Sequence, residues 1–141
     1  MLAARTEQYI VFRLADEKLA VDIREINEII KPEPVTPVPN SKYFVQGVMN
    51  LRGRIIPVVS LSRRLGMAEA ELQARSRIVV VQYHQEAIGL IVDAVEQVAS
   101  LTAEPPLESH NIRGAQYMSG IGVSPEGLIS ILNIGRLLAE G

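Results

Sequence analysis

Cysteine is absent from the sequence, and aromatic residues make up only 4% of it. Without cysteine the chain can form neither disulfide bonds nor thiolate metal sites, which fits a reducing compartment. The formal net charge of the 141 residues is −2, which does not indicate nucleic-acid binding. No uncharged apolar stretch approaches the roughly 20 residues of a membrane helix, and the N-terminus lacks a signal-peptide pattern. These absences predict a cytoplasmic protein without nucleic-acid binding or direct membrane insertion.

Strand-like apolar runs dominate what is present. Hydrophobic residues are 48% of the chain, enough to bury a sizeable core. The runs cover residues 9–12, 19–21, 45–51, 54–59, 77–83, 88–92 and 128–132. Continuous runs of this length are typical of strands buried on both sides, and no long helical segments alternate with them. The sequence predicts a mainly β protein with short helices near residues 62–65 and after Asn133, and not a doubly wound α/β fold.

The segment from residue 22 to residue 30 has two interpretations. Asp22 followed by Glu25 resembles the start of a helix, and the isoleucines at positions 23, 26, 29 and 30 could share one helical face. β-branched isoleucine lowers helix propensity, however, and also suits a twisted strand. The prolines at positions 32, 34, 37 and 39 then predict an extended loop.

Two strands are predicted to meet at Arg52-Gly53, because Gly53 readily takes the positive φ of a tight turn. An always-charged, planar arginine at a hairpin tip is well placed to bind a carboxylate, although most such arginines are simply solvated. Pro57 follows in the second strand. It lacks an N–H donor, which predicts an edge position or a bulge.

The two parts of the chain resemble each other. Residues 47–65 align with residues 120–138 without a gap at an offset of 73 (120 − 47), and residues 19–22 match residues 90–93 at an offset of 71 (90 − 19). Chance similarity between strand-rich segments is one explanation; the other is a duplication that gives two similar small barrels. The predicted halves are residues 15–76 and 77–141, with an N-terminal strand that could exchange between barrels. Units this small would bury apolar surface against each other, leaving a groove for a partner helix.

A search for catalytic or metal-binding patterns finds none. His84 and His110 have no metal-like neighbours, and Asp22 and Asp93 are better explained as strand-end or capping residues than as an acid–base pair. Residues 120–122 do not continue into a dinucleotide-binding fingerprint. We therefore expect no catalytic residues, no metal and no cofactor, and the protein is predicted not to be an enzyme.

Residues 47–61, GVMNLRGRIIPVVSL, resemble the signature of CheW-type chemotaxis coupling proteins, which typically reads G-V-x-N-L-R-G-x-I-x-P-V-x-D-L. Residues 9–12, residues 89–93, and residues 120–122 running into 131–134 agree with the same family in order and spacing. Ser60 stands where the family usually has Asp, which puts in doubt any cap or salt bridge that this Asp makes. The resemblance implies one CheW-like domain over residues 1–141, built from two SH3-like five-stranded β-barrels on a shared hydrophobic core.

The resemblance also implies a function. CheW-type proteins are non-catalytic adaptors that dock on the cytoplasmic tip of a chemoreceptor and on the regulatory domain of a CheA-type histidine kinase. Two alternatives remain: an adaptor of a pilus-motility or other chemosensory-like pathway, and, in a different class, a β-barrel domain that senses a small molecule.

By position, Arg52 matches the family's arginine implicated in partner binding, and Glu28 matches its associated acidic residue, so we predict an ion pair between them. The expected receptor-binding residues are Ile26, Glu28, Asn50, Arg52, Val95 and Val98. Core packing is an equally good explanation for Val95 and Val98. Leu107 and Ile112 are the expected kinase contacts.

Overall fold

The computed structural model describes residues 6–69, 71–105 and 114–139, and they form ten strands with four short helices. The strands are β1 (Thr6–Leu14), β2 (Glu17–Asp22), β3 (Ile26–Ile30), β4 (Val45–Leu51), β5 (Arg54–Ser60), β6 (Arg77–Tyr83), β7 (Glu86–Val92), β8 (Ala94–Thr102), β9 (Met118–Ser124) and β10 (Gly127–Leu132). The α-helices are α1 (Leu61–Arg64) and α2 (Ile134–Leu138), and the 3₁₀ helices are Ile23–Glu25 and Ala115–Tyr117. The predicted mainly β class is confirmed.

The strands form two five-stranded sheets with the same internal order. Sheet I runs β8-β1-β2-β10-β9, and sheet II runs β3-β6-β7-β5-β4. Each sheet contains one parallel pair, β2 with β10 in sheet I and β7 with β5 in sheet II, and its other pairs are antiparallel. The N-terminal hairpin β1–β2 thus lies in the sheet of the last strands of the chain. The two sheets are structural equivalents of each other.

The equivalence does not follow the sequence match at an offset of 71. The two-residue turns that close β1–β2 and β6–β7 begin at Ala15 and His84, which are 69 positions apart (84 − 15). The parallel registers agree, since Ile131 pairs with Ala20 and Val58 pairs with Gly89. Residues that match in sequence at an offset of 71 are therefore two positions away from the residues that are structurally equivalent at an offset of 69. Such a shift is tolerated because side chains alternate between sheet faces with a period of two.

A hydrophobic core shared by both sheets holds the molecule together. The shared core contains Phe12, Leu14, Leu19 and Val21 from sheet I and Val59, Val79, Val81, Leu90 and Val92 from sheet II, together with residues of both α-helices. Each sheet also encloses a small cluster of its own, around Val11 and Ile131 in sheet I and around Val58 and Val80 in sheet II. This arrangement agrees with the predicted pair of SH3-like barrels on a common core.

Local structure settles the open segment in favour of the strand. Asp22 caps a single 3₁₀ turn by accepting the N–H of Arg24 at 2.8 Å, and β3 follows directly. The prediction of an edge strand at Pro57 is wrong, because β5 lies between β4 and β7 in sheet II. The ladder with β7 begins at Val58, one residue later, so no hydrogen bond from residue 57 is needed there. Asp93 is a strand-end residue, as expected, and accepts the N–H of Ala15 at 2.7 Å.

Both α-helices follow a strand and begin at equivalent capping residues. Ser60 caps α1 by accepting the N–H of Arg63 at 3.3 Å, and Asn133, 73 positions later (133 − 60), accepts the N–H of Arg136 at 3.0 Å. The predicted cap at Asn133 is confirmed, and Ser60 caps α1 although the family usually has Asp at this position. No helix among the described residues is long and apolar enough to span a membrane.

Candidate functional site

The site begins with the two-residue turn between β4 and β5. Arg52 and Gly53 have φ angles of 52° and 85°, the left-handed pair that a tight hairpin turn requires. The side-chain carbonyl of Asn50 accepts the N–H of Gly53 at 2.9 Å and braces the turn. A non-glycine residue in this region is uncommon, so the backbone at Arg52 is held by its surroundings. The arginine side chain is thereby presented from a defined position.

Arg52 forms the predicted ion pair with Glu28 of β3. Its Nη2 donates to Oε2 of Glu28, and this hydrogen bond raises the pKa of the Arg52 guanidinium. The Arg52 side chain is 69% exposed and that of Glu28 is 27% exposed, so the arginine is open to a partner while the carboxylate is more sheltered. Glu28 lies opposite Val80 in the β3–β6 ladder. The pair thus connects the β4–β5 turn to the far edge strand of sheet II.

A shallow depression lies beneath the ion pair. It has a volume of about 80 Å³, and its walls include Asn27, Glu28, Arg52, Arg54, Ile56 and Val80. Pockets for drug-sized ligands occupy roughly 300–1,000 Å³. The depression is far smaller, which favours a contact surface for another macromolecule over a small-molecule site at this place. Asn27 and Arg54 were not among the predicted residues, because Asn27 lies outside the family motif and Arg54 stands at a position of the motif that is not specified.

Ile26 and Val95 occupy equivalent positions in the two sheets, 69 residues apart (95 − 26). Ile26 lies opposite Val81 in sheet II, and Val95 lies opposite Phe12 in sheet I. Both side chains are partly buried against the shared core, so each belongs to the seam where the sheets meet. Val98 differs from them: it lies on β8 opposite Ile10 and is 51% exposed.

The structure therefore brings together Glu28, Asn50 and Arg52 at the β4–β5 turn. It places Ile26 on the same sheet but against the shared core, and Val95 and Val98 on sheet I. Leu107 and Ile112 lie outside the described residues. Within residues 6–69, 71–105 and 114–139, no three histidine or acidic side chains gather as metal ligands. The chemistry offered by the turn is an exposed guanidinium paired with Glu28 beside a small depression, which suits binding.

Comparisons with known proteins extend over nearly the whole chain. Residues 8–141 match the CheW-like domain. The chain is 34% identical over 136 residues to the probable chemotaxis protein CheW of Rhizobium etli, covering 94% of this chain and 88% of that protein. It is 34% identical over 140 residues to the chemotaxis protein CheW of Thermotoga maritima, covering 98% and 91%. The crystal structure of the scaffolding protein TtCheW from Thermoanaerobacter tengcongensis is similar with a TM-score of 0.87 and 32% identity, covering 99% and 92% of the two chains.

Proposed function

The chain belongs to the CheW-like domain family, and on that basis we propose that it is a non-catalytic coupling adaptor of bacterial chemotaxis signalling. In this proposal it works in the cytoplasm and joins the cytoplasmic tip of a chemoreceptor to the regulatory domain of a CheA-type histidine kinase. Its contribution is to hold the two partners in one assembly, and the histidine kinase supplies the chemistry.

The observation that carries the proposal is the Arg52–Glu28 pair on a braced turn at the edge of sheet II. A rigid guanidinium can donate two parallel hydrogen bonds to a carboxylate on a partner. Exposed ion pairs contribute little to folding, so the value of this one lies in aiming Arg52. Ile26 and Val95 supply partly buried apolar surface at the seam between the sheets.

We infer that a chemoreceptor helix lies along this seam, with its apolar face against Ile26 and Val95 and an acidic side chain at Arg52. Amphipathic helices bind apolar grooves in this way in many complexes. Kinase control then follows from linked binding equilibria, because a receptor state that changes the geometry of the bound adaptor also changes that of the kinase.

Arg52→Glu tests the proposal. Binding of a purified receptor cytoplasmic fragment and of a kinase regulatory domain is measured for both proteins, with Arg75→Glu as the control, since Arg75 is an exposed arginine in the connector between α1 and β6. We expect Arg52→Glu to raise the receptor dissociation constant at least about tenfold, because charge reversal turns attraction into repulsion. Arg75→Glu should bind like the wild type. Wild-type protein that binds neither fragment would refute the adaptor function; equal binding by Arg52→Glu would refute only the placement of the receptor.

A further inference from the structure

A second polar cavity lies in sheet I, away from the strands that carry Arg52. Its volume is about 140 Å³, and it opens between β1, the 3₁₀ turn after β2, and the β9–β10–α2 segment. Tyr9, Asp22, Glu25, Ser119 and Asn133 supply its polar wall. We call it the sheet I pocket. Engineered protein cavities of roughly 150 Å³ hold a ligand as large as benzene, so a small functional group fits.

Tyr9 places an unpaired hydroxyl in this pocket. The residue is only 6% exposed, and its ring belongs to the inner cluster of sheet I. Burial raises the pKa of the Tyr9 hydroxyl, and the nearby carboxylates of Asp22 and Glu7 raise it further. No described residue forms a hydrogen bond with this hydroxyl. The ring is buried, but the hydroxyl oxygen reaches solvent through the pocket that it lines, where it can accept or donate a hydrogen bond.

The charges around the pocket are predominantly negative. Asp22 is paired with Arg24, whose Nη2 lies 2.7 Å from its Oδ2, and Glu7 lies 3.8 Å from the same nitrogen. Glu25 is partly buried and has no ion-pair partner among the described residues, and this burial raises the pKa of its carboxyl group. Arg24 pairs with Asp22 and Glu7, and its charge also acts on Glu25. Three carboxylates thus share one guanidinium, and a bound cation would offset the excess negative charge.

The duplication supplies an internal reference that shows this polarity is not required by the fold. In sheet II the equivalents of Tyr9 and Asp22 are Ile78 and Ile91, 69 positions later (78 − 9 and 91 − 22). Ser119 is the extra residue of the β9 bulge. Its equivalent in the β4 bulge is the longer Gln46 (119 − 46 = 73). Sheet II thus has apolar or bulkier residues where sheet I has a hydroxyl, a carboxylate and a small side chain.

We propose that the sheet I pocket binds a small organic cation, an alkylguanidinium or alkylammonium group, with the Glu25 carboxylate and the Tyr9 hydroxyl as acceptors of its N–H donors. The group would come from a free metabolite or from an Arg or Lys side chain of a partner, and the chemistry of recognition is the same. The pocket lies in a different sheet from Arg52, so this binding is independent of the adaptor function.

Titration with methylguanidinium chloride, followed by amide chemical shifts in NMR spectra, tests the proposal. Sodium chloride at equal ionic strength is the reference. We expect saturable shifts at Ser119 and Asn133 with a dissociation constant in the millimolar range, as befits a probe of few atoms. Glu25→Gln and Tyr9→Phe should each raise that constant at least about fivefold, since the first removes the negative charge and the second removes the hydroxyl acceptor. A parallel titration with the peptide acetyl-Gly-Arg-Gly-amide distinguishes the sources: tighter binding of the peptide points to a partner side chain, and tighter binding of methylguanidinium to a free cation.

Two further variants serve as controls. Ser119→Gln introduces the residue of the equivalent bulge and should fill the pocket, so that saturable binding is lost while the protein stays folded. Glu33→Gln makes the same charge change as Glu25→Gln at an exposed position and should bind like the wild type. Shifts that rise linearly with methylguanidinium, or equal weakening by Glu33→Gln and Glu25→Gln, would overturn the proposal and leave the adaptor function untouched.

Discussion

Phe44 and Tyr117 hold the guanidinium of Arg64 between their rings, with its Cζ 4.3 Å from the Phe44 centroid and 4.6 Å from that of Tyr117. The two aromatic residues are equivalents at an offset of 73 (117 − 44), and each accepts a backbone hydrogen bond from a helix-capping residue. Arg64 also donates to the carbonyls of Leu137 at 2.7 Å and Ala139 at 2.8 Å. One arginine of α1 therefore joins both halves and closes the end of α2.

Arg64→Ala should destabilise the protein by about 2–4 kcal/mol, because two charged hydrogen bonds and two cation–π contacts are lost together. Arg64→Lys should cost less, since it keeps the charge but loses the planar group that reaches two carbonyls. Urea denaturation measures both. Arg75→Ala, an exposed arginine, is the control and should change stability by less than about 0.5 kcal/mol. A value for Arg64→Ala within that range would contradict the joining function of Arg64.

Gly47 and Gly120 are equivalents that leave room for another segment of backbone. A Cβ on Gly47 would collide with the carbonyl of Thr36, whose backbone pairs with Val48. Gly47→Ala should therefore destabilise the fold by about 3 kcal/mol or more, as overpacking against backbone does. Gly53→Ala makes a matched comparison, since Gly53 has φ of +85° and open space around it. It should cost only about 1–2 kcal/mol for the left-handed backbone. Equal losses in thermal denaturation would refute the steric explanation for Gly47.

Ser60→Asp, which restores the usual family residue, should destabilise this chain. Ser60 is 3% exposed, and its hydroxyl donates to Oε2 of Glu69 at 2.9 Å. An Asp cannot donate at neutral pH and would set a buried carboxylate against the exposed carboxylate of Glu69, at a cost of about 1–3 kcal/mol. In a Glu69→Gln background the amide can donate to the Asp, so the cost should shrink. A double-mutant cycle by urea denaturation measures the coupling between positions 60 and 69. A cycle with no coupling would show that Glu69 is not the reason why Ser60 is favoured over Asp in this chain.

The loss of folding stability as the pH is lowered should depend on Glu96. Lys18 and Arg13 donate hydrogen bonds to its carboxylate and hold the pKa of Glu96 below its ordinary value of 4.5. A depressed pKa means that the stabilisation is present above the unfolded-state pKa and is lost as the pH falls through the folded-state value. We expect the urea midpoint to fall less between about pH 7 and about pH 3 in Glu96→Gln than in the wild type. The exposed Glu33→Gln should follow the wild type. Parallel curves for Glu96→Gln and the wild type would contradict this assignment.

The charge-swap double variant Arg52→Glu with Glu28→Arg tests whether Arg52 contacts the receptor itself or only braces sheet II through its ion pair with Glu28. The swap rebuilds the ion pair in reverse, so its melting temperature should stay within about 2 °C of the wild type. Receptor-fragment affinity should stay at least about tenfold weaker, because the partner would now face a carboxylate at position 52. Recovery of affinity in the swap, measured by calorimetry, would mean that the pair only braces sheet II and that Arg52 does not touch the receptor.

Much of the turn site could be predicted from sequence. Gly53 identified the turn, and the family pattern paired Arg52 with Glu28, because a short motif carries its own local geometry. The split between Val95 and Val98 could not be foreseen. The bulge at Glu96 places them opposite Phe12 and Ile10, on the same side of β8, and only tertiary packing partly buries Val95 and leaves Val98 exposed. The sheet I pocket was also missed, since its walls come from segments more than a hundred residues apart. The sequence feature that could have indicated this pocket is the small Ser119 at the position equivalent to the longer Gln46.

By itself the sequence determined seven of the ten strands, the turn at Arg52-Gly53, the cap at Asn133 and the internal sequence repeat, because these depend on neighbouring residues and on short periodicities. Only the tertiary structure decided which strands lie side by side. The β1–β2 hairpin pairs with β10, and the equivalent positions in the first strands are 69 and not 71 residues apart. A period-two pattern is unchanged by a two-residue shift and does not specify which strand is its neighbour. The packing of Phe12, Val59 and the rest of the shared core decides which strands become neighbours.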